Sequence, residues 1–405
     1  MITTFTASLK CVDLFFPFLK PIVSFIRPTL IVLLLIYQAK FFGIRIRAYS
    51  WWFFFFLYSF FVYFYLTEGK VYSLTELRAV PDSLFGFFYR TTMIIGYLLS
   101  VDTIIHRNNL KKYVFVSFMF GTLPTLWYIN IVGIDYIQLY SLKDDKTWIG
   151  QLTLAYSNTP LLILAILYYD KLCSKKYISL LLSTIILITV GYIFVISTKR
   201  GPLLWTAISI LICLYYKSKA SFKFFAVFTS IALFLFFYID IILDSISTIA
   251  PVSAERISST IYGGDLTNRY DIHSLNDSSY YIAIKQFATS PFLGSYFRLI
   301  TSGYFHGHYP HNIFLEILIT MGLLGIIPFI LLILRCIKNS HNLFKNSFTT
   351  EEMVCLVLFL CIFLQLQTTG SLLLNTWFWL FFYISCFFGM RKKYWRQQIK
   401  KRQLR

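Results

Sequence analysis

Residues 309 to 329 read YPHNIFLEILITMGLLGIIPF, which puts His311, Asn312 and Glu316 at the head of an otherwise apolar run. Pro310 and Asn312 both suit a helix start, with Asn312 as the candidate N-cap. The first backbone N–H groups of such a helix attract anions. A second polar site reads STKRGPLL, where Lys199 and Arg200 fall between two apolar runs and Pro202 suits the first turn of the second run. Two cations beside a helix N-terminus form a diphosphate cradle, because the guanidinium fork matches phosphate oxygens and gains strength where water is scarce. A third pattern, HGHYPH, spaces His306, His308 and His311 closely enough to raise the question of a metal. No cysteine and no clustered carboxylate accompany them, so no metal and no other cofactor is expected.

Each of these residues also has a structural use. Lys199 and Arg200 can snorkel to lipid headgroups, His311 can cap or pack, and Glu316 can simply favour the positive end of a helix. Gly322 and Gly325 suit close helix packing, since small residues let backbones approach. Arg90 lies about six residues, roughly 9 Å, into an apolar run. It is either a functional charge within the membrane or another snorkelling side chain.

The elements that must position these groups are set by composition. The chain has 405 residues, of which 57% are hydrophobic, 20% aromatic and 14% charged, and its mean hydropathy is +0.66. Those values exclude a water-soluble domain. Apolar runs of roughly 17 to 25 residues, enough to cross a hydrocarbon core of about 30 Å, recur from end to end. Eleven spans are expected, near residues 21 to 38, 50 to 66, 84 to 105, 113 to 132, 152 to 169, 177 to 197, 201 to 216, 222 to 242, 312 to 334, 353 to 368 and 371 to 389. The stretch before residue 21, broken by Lys10, Asp13 and Pro17, is a twelfth span or an interfacial helix, and lacks the cleavage site of a signal peptide. The expected fold class is all-α, a polytopic transmembrane helical bundle.

The formal charge of +19 raises the question of nucleic acid, but the cations alternate by side of the membrane. Segments 39 to 49, 106 to 112, 170 to 176, 217 to 223 and 335 to 352 each hold three Lys or Arg, and the tail from residue 391 holds eight. By the positive-inside rule these are cytoplasmic, and the tail also meets anionic lipid. The charge orients the protein in a membrane, and no nucleic acid partner is expected. The seven cysteines imply no disulfide framework. Residues 1 to 242 form an N-terminal bundle, 243 to 311 one large outer loop able to carry one or two helices, 312 to 389 the last spans and 390 to 405 a basic cytoplasmic tail.

With the motifs placed, the chain resembles the O-antigen ligase and O-antigen polymerase superfamily of bacterial polytopic glycosyltransferases. The ligase pattern is His, then Asn, Ser or Gln, nine residues, Gly, two residues, Gly. Here it reads His311, Asn312, IFLEILITM, Gly322, LL, Gly325. STKRG is similar to the family's outward Arg turn, and the span number and large loop extend the likeness over most of the chain. The family's second arginine stands about fifteen residues before a P-x-x-G turn, here Pro291 to Gly294. That register falls on Asn276, and Arg269 is the nearest arginine.

The resemblance implies a GT-C-like fold in the bacterial inner membrane, with its active site facing the periplasm. It implies a donor glycan linked to undecaprenyl diphosphate, used without nucleotide sugar or metal. Arg200, with Lys199 and Arg269, would hold the diphosphate and stabilise it as leaving group. His311 would orient or deprotonate the acceptor hydroxyl, with Asn312 and Glu316 in support. The first expectation is a polymerase of O-antigen or capsule repeat units, working with a chain-length regulator and a flippase. The second is the ligase that moves glycan to lipid A core. A transporter of polysaccharide or lipid-linked oligosaccharide also has a dozen spans, but the chain shows neither clear halves nor paired broken helices.

Overall fold

The computed structural model describes residues 20–41, 114–115, 117–134, 151–197, 200–217, 222–261, 279–294, 312–345, 350–367 and 378. Every regular element among them is helical. In chain order they are α1 (Lys20–Phe41), a π-helix (Phe118–Thr122) running into α2 (Leu123–Val132), α3 (Gln151–Leu167), α4 (Lys176–Ile196), α5 (Arg200–Lys217), α6 (Phe222–Ile249), α7 (Pro251–Ile261), α8 (Ser279–Thr289), α9 (Ile313–Lys345) and α10 (Thr350–Gln365). The expected spans at 50 to 66, 84 to 105 and 371 to 389 lie mostly or wholly outside the described residues.

Two compact units divide the chain. The first comprises Met1–Leu30, Asn108–Thr267 and Thr349–Cys361, the second Ile31–Arg107, Asn268–Phe348 and Ile362–Arg405. In the first unit α3 and α4 pack as an antiparallel hairpin. Small hydroxyls allow their close approach: Ser183 donates to the Ala165 carbonyl at 2.6 Å, and Ser179 stitches the connecting turn by bonding the Tyr169 carbonyl and the Leu172 N–H. The buried face of α4 recurs at Ser179, Ser183, Ile186, Val190, Ile193 and Ile196, a helical stripe that meets Tyr128 and Ile129 of α2. Its opposite face exposes Leu181, Ile185 and Ile188. α5 also packs on α3, and Thr206 on α5 meets Cys361 on α10 at 3.4 Å.

The π-helix was not legible from periodicity. It carries Thr122, whose hydroxyl donates to the Asn158 side-chain oxygen on α3 at 2.8 Å. Both groups are buried, and such a bond satisfies polar atoms that would otherwise be costly in an apolar medium.

Three boundaries differ from the sequence expectation. α6 continues past residue 242 to Ile249 and ends only where Pro251 opens α7. α9 continues past residue 334 to Lys345, so the first part of the basic segment at 335 to 352 is helix. Finally, α9 is interrupted at Gly322, whose φ of 60° and ψ of −158° are not helical. Two described helices are long and apolar enough to cross a membrane, Lys176–Ile196 and Ile313–Asn339.

Candidate functional site

The site builds from the two ends of one short helical block, Ile313 to Met321. At its start, Asn312 is the N-cap: its side-chain oxygen accepts the N–H groups of Phe314 and Leu315 at 3.0 and 3.1 Å. The Glu316 N–H bonds the Asn312 carbonyl at 2.8 Å, and the Ile313 N–H bonds the Leu366 carbonyl, just beyond α10, at 3.1 Å. All four leading N–H groups therefore have protein acceptors. This amends the expectation that they would serve an anion, since the partial charge at a helix N-terminus resides largely on its unsatisfied amides. The Asn312 oxygen is committed to the cap. Glu316 lies buried in the first turn, and its carbonyl accepts the Thr320 hydroxyl.

At the other end stands Gly322, which lies in a backbone region open essentially to glycine alone. Residues Pro291 to Gly294 form a turn after α8 that docks on this break. The carbonyls of Pro291 and Phe292 accept the N–H groups of Leu323 and Leu324 at 2.8 and 3.2 Å. The resumed helix is thus capped by a distant turn instead of by its own neighbour. Two bonds close that turn, Gly294 N–H to the Ser290 carbonyl at 2.9 Å and Ser290 hydroxyl to the Gly294 carbonyl at 2.8 Å.

The approach of the two backbones leaves no space for side chains. A Cβ on Gly322 would strike the Phe292 carbonyl and the Gly294 nitrogen, and one on Gly294 would strike the main chain of Thr320 to Gly322. At Gly325 a Cβ would strike the Met321 Cβ of the preceding block instead of the docked turn. Before the turn, α8 lies along the block, with Ala283 and Phe287 against Ile319 and Leu315. Phe314, Phe329, Phe363 and Phe378 form a ring cluster behind it, with neighbouring centroids 6.1 to 6.5 Å apart. The signal for this junction was present in the sequence as P-x-x-G and a glycine within an apolar run, but nothing local pairs the two.

For the basic site, α4 ends at Ile196 and α5 begins at Arg200, with Pro202 in its first turn. His306, His308 and His311, together with Lys199, Arg269 and Arg90, lie outside the described residues. What the described geometry achieves chemically is positional. It holds the residue that follows His311 at a fixed helix start, pinned by α8, the docked turn and the end of α10. A scan against protein-family models, a search of curated proteins and a search of solved structures each find no match for this chain.

Proposed function

We propose that this protein is a polytopic inner-membrane glycosyltransferase that joins undecaprenyl-diphosphate-linked repeat units of O-antigen or capsule at the periplasmic face. The observation that carries the reading is the block between Asn312 and Gly322. The motif's nine intervening residues make one rigid helical piece, capped at its start and broken by glycine at its end. That gives Asn312 and Gly322 each a physical task and fixes the residue next to His311 at a helix start, as a base acting on an acceptor hydroxyl would need of its support. Arg200, at the start of α5 beside Lys199, is the proposed diphosphate ligand, and Arg269 and Arg90 are further candidates for the donor. No cofactor enters the reaction.

The ligase is the second reading, because the H-N-x9-G-x2-G spacing is the ligase pattern itself. The transporter reading needs a discontinuous helix whose bare N-terminal amides face a substrate. α9 is discontinuous, but the Leu323 and Leu324 amides are already bonded to the chain's own turn. This weighs against it.

A deletion strain separates the three. Single-repeat caps on lipid A core with accumulating lipid-linked sugar are expected for a lost polymerase; uncapped core would mean ligase, and an unchanged glycan profile would refute both. In purified protein, His311→Ala is expected to slow transfer about 10²- to 10⁴-fold, the usual share of general-base catalysis. Arg200→Lys should retain little activity, since a point charge lacks the fork.

A further inference from the structure

The turn that docks on Gly322 presents large apolar side chains outward. Phe292 is 66% exposed and Leu293 42% exposed, although the backbone beneath them is fixed by the bonds to Leu323 and Leu324. An exposed Phe–Leu pair at the tip of a rigid turn has a cost in water. Its surroundings on α9 change at the same level. Between Ile313 and Met321 no large apolar side chain is strongly exposed, and Ile313, Ile317, Ile319 and Met321 are buried. Immediately past the break an outward apolar stripe begins with Leu324 and continues through Ile327, Leu331 and Leu334, at helical spacing. The turn and the stripe therefore meet at residues 292 and 324, joined through a main-chain hydrogen bond.

We propose that the Pro291–Gly294 turn is a membrane anchor, with Phe292 and Leu293 inserted in the outer leaflet of the bilayer. Gly322 then marks the depth at which α9 enters lipid. This rests on the reading of α9 as a membrane span. The occupant is lipid because the pair continues a stripe that has the length and apolarity of a lipid-facing helix surface. Aromatic and aliphatic side chains at such a boundary gain from burial among acyl chains while the Pro291, Phe292 and Gly294 carbonyls stay bonded to protein. A consequence is that the turn also restrains α9 against sliding along the membrane normal.

Cysteine accessibility in the full chain tests this, with the unsubstituted protein giving the background from its own cysteines. Phe292→Cys, Leu293→Cys, Leu331→Cys and Lys285→Cys are each treated with a membrane-impermeant maleimide from the outer side and, separately, with a lipid-soluble maleimide. The expected result is that positions 292 and 293 react with the impermeant reagent at least about tenfold more slowly than 285, because a charged reagent stays out of the acyl layer. With the lipid-soluble reagent they should react at about the rate of 331, which shares that layer. Fast impermeant labelling at 292 and 293 with 331 protected overturns the anchor alone. Fast impermeant labelling at 331 as well overturns the span on which it rests. Protection of 292 and 293 from both reagents means that protein covers the turn, which also overturns the anchor.

Discussion

At the scale of single residues, the two glycines of the motif have different jobs. Gly322 occupies a backbone conformation that other residues reach only at a cost of order 1–3 kcal/mol, and its missing Cβ is where the Phe292 carbonyl passes. Gly325 is helical, and its missing Cβ is where the Met321 Cβ sits, an atom the backbone fixes. Gly322→Ala and Gly325→Ala are therefore both expected to lower the unfolding temperature of the purified protein, Gly322→Ala the more because its backbone conformation is strained as well. An unchanged unfolding temperature in Gly322→Ala would show that the docked turn contributes nothing. Asn312→Ala should remove about 1 kcal/mol of helix stability through loss of the cap, with Asn312→Ser restoring most of it. A binding role for the Asn312 amide would instead leave the serine variant as impaired as the alanine one.

Among elements, the α3–α4 hairpin is held by hydroxyl bonds to main-chain groups, which the proposed membrane setting would favour. Lipid offers helices little hydrophobic reason to associate, so close packing and interhelical hydrogen bonds must do it. Ser183→Ala should cost roughly 0.6 kcal/mol, the average for such bonds in membranes, and Ser183→Leu considerably more by forcing α3 and α4 apart. Unfolding titrations in mild detergent would show the order, and a leucine variant as stable as wild type would contradict the packing. Helix positions were largely legible in the sequence: apolar runs at 152 to 169, 177 to 197 and 201 to 216 became Gln151–Leu167, Lys176–Ile196 and Arg200–Lys217. So was the Asn312 cap, since N-capping is a local property of side chain and backbone. The break in α9 was not, because apolarity continues straight through Gly322 and its cause lies some thirty residues upstream. The π-helix escaped for a related reason: one added residue per turn leaves hydrophobicity unchanged.

For the whole molecule, charge and hydropathy act over distances that local structure does not report. The compact units are interleaved along the chain, with segments before, between and after one another. The linear divisions expected at residues 242, 311 and 389 rest on membrane topology read from the sequence. Within the second unit, the Leu366 carbonyl returns to hold the first amide of α9, so the chain beyond residue 362 helps fix the candidate site. The alternating basic segments predict the orientation. Alkaline phosphatase fused after residue 270 should be active and after residue 405 inactive; the reverse pattern would invert the protein and move every proposed site to the wrong face.

The spacing between the Asn312 cap and the Gly322 break is a phase relation as well as a length. Each helical residue turns the chain by about 100° and advances it about 1.5 Å. One inserted residue would move Asn312 only slightly along the axis, yet would swing it about 100°, more than a quarter turn, relative to the docked Pro291–Gly294 turn. Nine is therefore an angular setting as much as a length, fixed by the cap at one end and the docked turn at the other.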